Sequence, residues 1–185
     1  MSNIYKITQS ISKIFGILSM VGAVATLIIG IIILVTDSAS MVRDMNLVYN
    51  NVSVVGMAMY CNMPAEDATK VAGVFLIGSS ILLGLLTMIF RNVNLIVRTA
   101  EGKTWFSTGM TPFQDDIVRM VREIGIFSIM ISIVSMAVVN IIGFMSENVE
   151  TSANLLPIVF GIIIICLSKI FEYGSDLQKD EDGLI

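Results

Sequence analysis

The chain has 185 residues, of which 55% are hydrophobic and 14% charged, with a net charge of −4 and no histidine. A soluble domain carries nearer a quarter charged residues, and a mean hydropathy of +0.86 excludes an ordinary water-soluble fold. Without histidine the chain lacks the commonest general base and metal ligand, and no dense basic stripe with interleaved aromatics points to nucleic acid.

The segment before the first span places Ile4, Ile7, Ile11 and Ile14 on one helical face, with Lys6, Gln9, Ser10 and Lys13 elsewhere. This is an amphipathic lead-in helix, either continuous with the first span or lying on the membrane surface. The first charge-free stretch then covers residues 14–36. Ala23-Val24-Ala25 mimics a signal cleavage site. The sequence stays apolar beyond it, where a mature protein would turn polar, so an uncleaved anchor is expected. Gly22, Thr26 and Gly30 form a small-residue stripe suited to close helix packing, within the bundle or in a homo-oligomer.

Residues 37–70 form a connecting loop that is long for a plain connector. Its apolar centre, Val52 to Cys61, needs cover, so a small folded cap or short hairpin is expected there. Met57, Met59, Cys61 and Met63 alternate, and in a strand their sulfurs would share one face. Soft sulfur ligands suit Cu(I), but no histidine supports such a site and methionine is routine flexible packing. The reading is therefore packing, with no cofactor. Cys61 and Cys166 fall in a loop and inside a span, which predicts two free thiols.

The second span is read at 71–90, with Ser80 and Gly84 as a second small-residue stripe. Apolar periodicity continues through Val93, Ile96, Val97 and Ala100 to a natural stop at Gly102. On the return, Thr111-Pro112-Phe113-Gln114 has the form of a capping box with proline at the first helical position. Phe113, Ile117, Val121 and Ile124 then follow on one face. Residues 91–123 are thus expected to form an antiparallel helical hairpin continuing the second and third spans. Its tip, Lys103 to Met110, carries Trp105 and Phe106. These aromatics either fold back to the membrane interface or plug the hairpin, or they dock a cytoplasmic protein.

The third span is read at 124–146. Ser128, Ser132, Ser135 and Asn140 form a polar face within it, more readily explained by hydrogen bonds between helices than by a solute path, because no ionisable residue lies mid-span. The fourth span is read at 151–168, with Pro157 tolerated near its start. The tail, 169–185, continues the helix through Ile170, Tyr173 and Leu177 and ends in an acidic run expected to fray.

Lys6, Lys13, Arg91, Arg98, Lys103, Arg119, Arg122, Lys169 and Lys179 collect on one side of these spans, Arg43 and Lys70 on the other. The positive-inside rule puts both termini and the hairpin in the cytoplasm. The expected fold is all-α: four transmembrane helices, N-in and C-in, with a small extracytoplasmic cap. Catalytic patterns such as GxSxG, HExxH, CxxC and the P-loop are missing, and the acidic pairs sit where caps or solvated ends explain them. The expectation is a non-enzymatic sensor, adaptor or regulator in the lipid bilayer. The alternatives are a small oligomeric transporter or channel lined by the serine face, and then a lipid-modifying enzyme.

The stretch GMTPFQDDIVRMVREIGIF (Gly109 to Phe127) and the ending FEYGSDLQKDED (Phe171 to Asp182) resemble the signatures of an uncharacterised bacterial four-span inner-membrane family. Those signatures are a "PF" helix start, an arginine-bearing turn, an "IG" opening of the third helix and a glycine–LQ–acidic tail. The resemblance implies a bacterial inner-membrane protein with no catalytic residues to transfer. It also implies a possible partner, because genes of that family often lie beside one for a small helix-turn-helix regulator. Lys103 to Ser107 is an insertion relative to the pattern, so an inherited contact surface there does not follow.

Overall fold

The computed structural model describes residues 2–107 and 111–182, with side chains described from Lys6 to Asp180. The tip residues 108–110, the side chain of Ile4 and residues 183–185 lie outside the described set.

The chain is mostly helical, and four helices are long and apolar enough to cross a membrane. They are α1 (Ser2–Thr36), α3 (Ala65–Ala100), α4 (Asp115–Met145) and α5 (Leu156–Asp182), joined by a short helix α2 (Ala39–Asp44) and strands β1 (Asn51–Val54), β2 (Met57–Cys61) and β3 (Val149–Ala153). α3 has 36 residues, about 54 Å at 1.5 Å per residue, against roughly 30 Å of hydrocarbon. Large apolar side chains cover the outside of these helices, among them Ile14, Leu18, Val35, Val159 and Ile162. In water such a surface would aggregate, and in lipid it is the solvated state.

Two compact units can be distinguished. One comprises Met1–Leu18, Leu86–Ile129 and Pro157–Ile185; the other comprises Ser19–Leu85 and Met130–Leu156.

In the first unit the lead-in is one helix with the rest of α1, and Ile7, Ile11 and Ile14 are exposed. Phe15 stacks on Phe90 at 5.5 Å, and Asn94 donates a hydrogen bond to the Gln9 carbonyl. α4 and α5 meet through glycine. A Cβ on Gly125 would lie 2.8 Å from the Gly161 carbonyl oxygen, and one on Gly161 would lie 2.6 Å from the Gly125 carbonyl oxygen. Only hydrogen at both positions lets the two backbones approach this closely.

The capping box at Thr111 does not form as the sequence suggests. Gln114 starts the helix, its carbonyl accepting from Val118, while the Thr111 hydroxyl accepts from the Phe113 N–H and donates to Gln178. The tail continues α5 through Ile170, Tyr173 and Leu177, as read from sequence. Ile170, Tyr173 and Leu177 are exposed, whereas Phe171, Ser175 and Gln178 reach the start of α4. The described part of the acidic run stays helical to Asp182.

In the second unit the strands form one antiparallel sheet in the order β1-β2-β3. Asn51 pairs with Tyr60 and Tyr60 with Glu150. Residues 151–153, read from sequence as the opening of the fourth span, belong instead to β3, part of a small sheet in a fold that is otherwise mostly helical. Val149 and Thr151 are β-branched and alternate inward with polar Glu150 and Ser152, a strand pattern. The helix starts at Leu156, whose N–H is capped by the Asn154 side chain at 2.9 Å. α1 and α3 pack closely here, the site of a Cβ on Gly30 lying 3.2 Å from the Gly73 carbonyl oxygen.

Candidate functional site

Three regions hold the residues singled out from sequence, and each is built by different local physics.

The first is the tip between α3 and α4. α3 ends at Ala100, and Gly102 takes a φ of +71°, a left-handed turn that glycine adopts without steric cost. Gln114, 3% exposed, holds the tip together. Its amide donates to the carbonyls of Thr99 and Thr111, and its side-chain oxygen accepts from Ser107. The Ser107 hydroxyl also approaches the Thr99 carbonyl, and Thr104 bonds Thr99 through their hydroxyls. On this frame Phe106 is half-buried and meets Trp105 edge-to-face at 5.4 Å. Trp105 is 94% exposed. Gln114 reads from sequence only as the last position of a capping box; its role as a buried amide hub depends on the return path of the loop, which no local pattern encodes.

The second region is the polar face of α4, and it is divided. Ser128 is half-buried, Ser132 and Ser135 are buried, and Asn140 is exposed. Ser132 donates to the Asn154 carbonyl at 3.0 Å, Ser135 to Ile131 in its own helix, and Asn140 to Met136. Each of these three bonds goes to a backbone carbonyl. The small-residue stripes also divide. A Cβ on Gly22 would meet Leu83 at 3.4 Å, while at Gly84 nothing lies within 4 Å. Thr26 bonds back to the Gly22 carbonyl, and Ser80 is buried. The tightest helix–helix approaches, at Gly73, Gly78, Gly125 and Gly161, lie outside the stripes, because a small residue marks a crossing only where a neighbouring helix arrives.

The third region is the sheet and its surroundings. Met57, Met59 and Cys61 share one face of β2 and are buried, as is Met63 beyond the strand. Burial pushes the Cys61 thiol up from its ordinary pKa, against a smaller opposing effect of a hydrogen bond from the Met63 backbone. This keeps the sulfur protonated and inert. Both cysteines are free thiols. Among the described residues no group of three or more His, Cys, Asp or Glu is placed to hold a metal.

Beside the sheet, the turn Asn62-Met63-Pro64, the start of α3 and the end of α4 enclose a cavity of about 390 Å³, lined also by Asp67, Lys70, Val71, Met145, Ser146 and Asn148. A smaller groove of about 190 Å³ lies on the sheet's polar face, among Asn51, Ala58, Tyr60, Glu150 and Ser152. The charges nearby are mostly spent within the protein: Arg43 pairs with Glu66 at 2.9 Å, and Thr69 donates to Asp37.

Comparison of the chain with protein-family models, curated proteins and solved structures returns no significant match.

Proposed function

We propose that this chain is a non-enzymatic four-span protein of a bacterial inner membrane, with both termini in the cytoplasm. In this reading it couples a signal or lipid at its sheet to a cytoplasmic protein at the α3–α4 tip. The single observation that carries the reading is Trp105: a tryptophan 94% exposed on a loop fixed from beneath by Gln114 and Thr99. A rigidly held, solvent-facing indole is the kind of side chain that dominates protein interfaces. With α3 continuous to Ala100, a tip ten residues past Phe90 stands about 15 Å beyond the apolar stretch. That argues for a docking role over a return to the interface.

The orientation rests on the lysines and arginines, which crowd toward the tip, the tail and the lead-in. A reporter fused after Ile185 is expected to be active only if cytoplasmic. The resemblance of residues 109–127 and of the tail to the inner-membrane family makes a small helix-turn-helix regulator the partner to try first, and Trp105, which lies in the stretch that family's pattern lacks, would be a contact particular to this chain. Full-length protein solubilised from native membranes should retain that regulator, and Trp105→Ala should reduce its recovery about tenfold or more, as for an interface anchor. Equal recovery with the variant removes the tip from the mechanism.

A further inference from the structure

The cavity beside the sheet has a chemistry of its own. Asp67 and Lys70 stand one turn apart on α3 and both line it. Neither makes an ion pair or a side-chain hydrogen bond with another described residue. Their neighbours Glu66 and Asp37 do find partners, in Arg43 and Thr69. Asn62 and Asn148 line the same space, and the two are joined by a backbone bond of 3.0 Å, from the Asn62 N–H to the Asn148 carbonyl. The lining thus brings a carboxylate, an ammonium and two asparagines to one cavity.

The lining also has an apolar part, at a defined depth. Val71 is the first residue of the charge-free stretch of α3, and Met145 is the last residue of α4. Both helices are long and apolar enough to cross a membrane. The cavity thus sits where two hydrophobic stretches end and water begins, the depth of lipid head groups.

We infer that this cavity binds a zwitterion carrying a phosphate and a primary amine, the head group of phosphatidylethanolamine in the adjacent leaflet. The phosphate would take Lys70 and an asparagine amide, and the ammonium would take Asp67 as a charge-assisted donor. A purely anionic head group would face Asp67 with no cation to offer, and a trimethylammonium has no N–H to donate. The apolar rim at Val71 and Met145 would receive the start of the acyl chains. The inference deepens the proposed function, since it names the lipid class at the sheet.

The test uses the full chain in detergent, examined by native mass spectrometry after titration with phosphatidylethanolamine, phosphatidylglycerol or soluble phosphoethanolamine. Wild-type protein should retain phosphatidylethanolamine about tenfold better than phosphatidylglycerol, the difference one charge-assisted hydrogen bond supplies. Lys70→Gln should weaken retention of both lipids, and Asp67→Asn should abolish the preference between them. Displacement by soluble phosphoethanolamine would assign the source to water, and retention against it would assign the source to the bilayer; both keep the head-group recognition. Equal retention of the two lipids by wild-type protein, or an unchanged preference in Asp67→Asn, overturns the inference. Both residues are exposed, so the variants should fold, which circular dichroism checks. No cytoplasmic partner is needed here, so failure of this test leaves the Trp105 experiment standing, and the converse also holds.

Discussion

Lys179 near the end of α5 places its ammonium 2.8 Å from each carboxylate oxygen of Asp115, the first residue of α4. Ser175 donates to the same carboxylate. Both ionic groups lie beyond the apolar stretches. The hydrogen bonds from Lys179 and then Ser175 hold the Asp115 carboxyl below its usual range, and Asp115 holds Lys179 above its own. The depressed carboxylate contributes stability above the ordinary carboxylate pKa, lost as pH falls through the lowered value. The raised ammonium contributes stability below the ordinary lysine pKa, lost as pH rises through the raised value. Hydrogen-exchange protection factors for residues 174–182 should therefore hold steady through neutrality and fall at both extremes. Because both groups are largely exposed, the change should be small and should fade in high salt. Protection that stays flat in strong acid would show that the pair does not hold the tail.

The hairpin turn between β1 and β2 stores backbone strain. Val55 has a φ of +48° and Gly56 of +83°, positive values at both central positions of a two-residue turn. Asparagine tolerates that conformation, and a β-branched residue does not. Val55→Asn should stabilise the hairpin by about 1 kcal/mol, read as slower exchange of amides in β2. Faster exchange would mean the turn is not of this type.

The close crossing of α4 and α5 predicts opposite outcomes at two glycines. Gly161→Ala forces a methyl group against backbone and should cost about 1–3 kcal/mol. Gly84→Ala enters open space and should be neutral or gain up to about 1 kcal/mol from helix propensity. Unfolding in mixed detergent measures both, and similar effects at the two sites would contradict the crossing.

Gln114→Ala removes the amide that binds the Thr99 and Thr111 carbonyls. Leaving such buried partners unsatisfied should cost about 1–3 kcal/mol. Because Trp105 is the only tryptophan, its fluorescence anisotropy reports the tip directly and should drop in this variant. Unchanged anisotropy would mean the loop is held by other contacts.

The four long helices were legible from sequence because lipid demands long charge-free stretches, and such stretches are hard to mistake for anything else. Val149 to Ala153 was not legible as a strand. Its few residues adjoin an apolar run, and only the unpaired side of β2, far away in the chain, makes the strand favourable. The candidate site divides along the same line. Trp105 stands out, with Phe106 beside it, as an aromatic in a polar loop. The Asp67–Lys70 cavity takes part of its lining from Met145, Ser146 and Asn148, and no local pattern links residues so far apart. The serine series on α4 looked like one face by periodicity, yet which hydroxyl meets Asn154 depends on where α5 begins.

Strand order also bears on biogenesis. β2 lies between β1, its immediate predecessor, and β3, which is made almost ninety residues later. Until ribosomes have produced Val149 to Ala153, one side of β2 has no hydrogen-bonding mate, and Met57, Met59 and Cys61 await a finished lining. A chain halted anywhere before that point carries an open edge, a surface that proteases and chaperones can recognise. Completion of the last strand thus doubles as a mark that synthesis has passed α4.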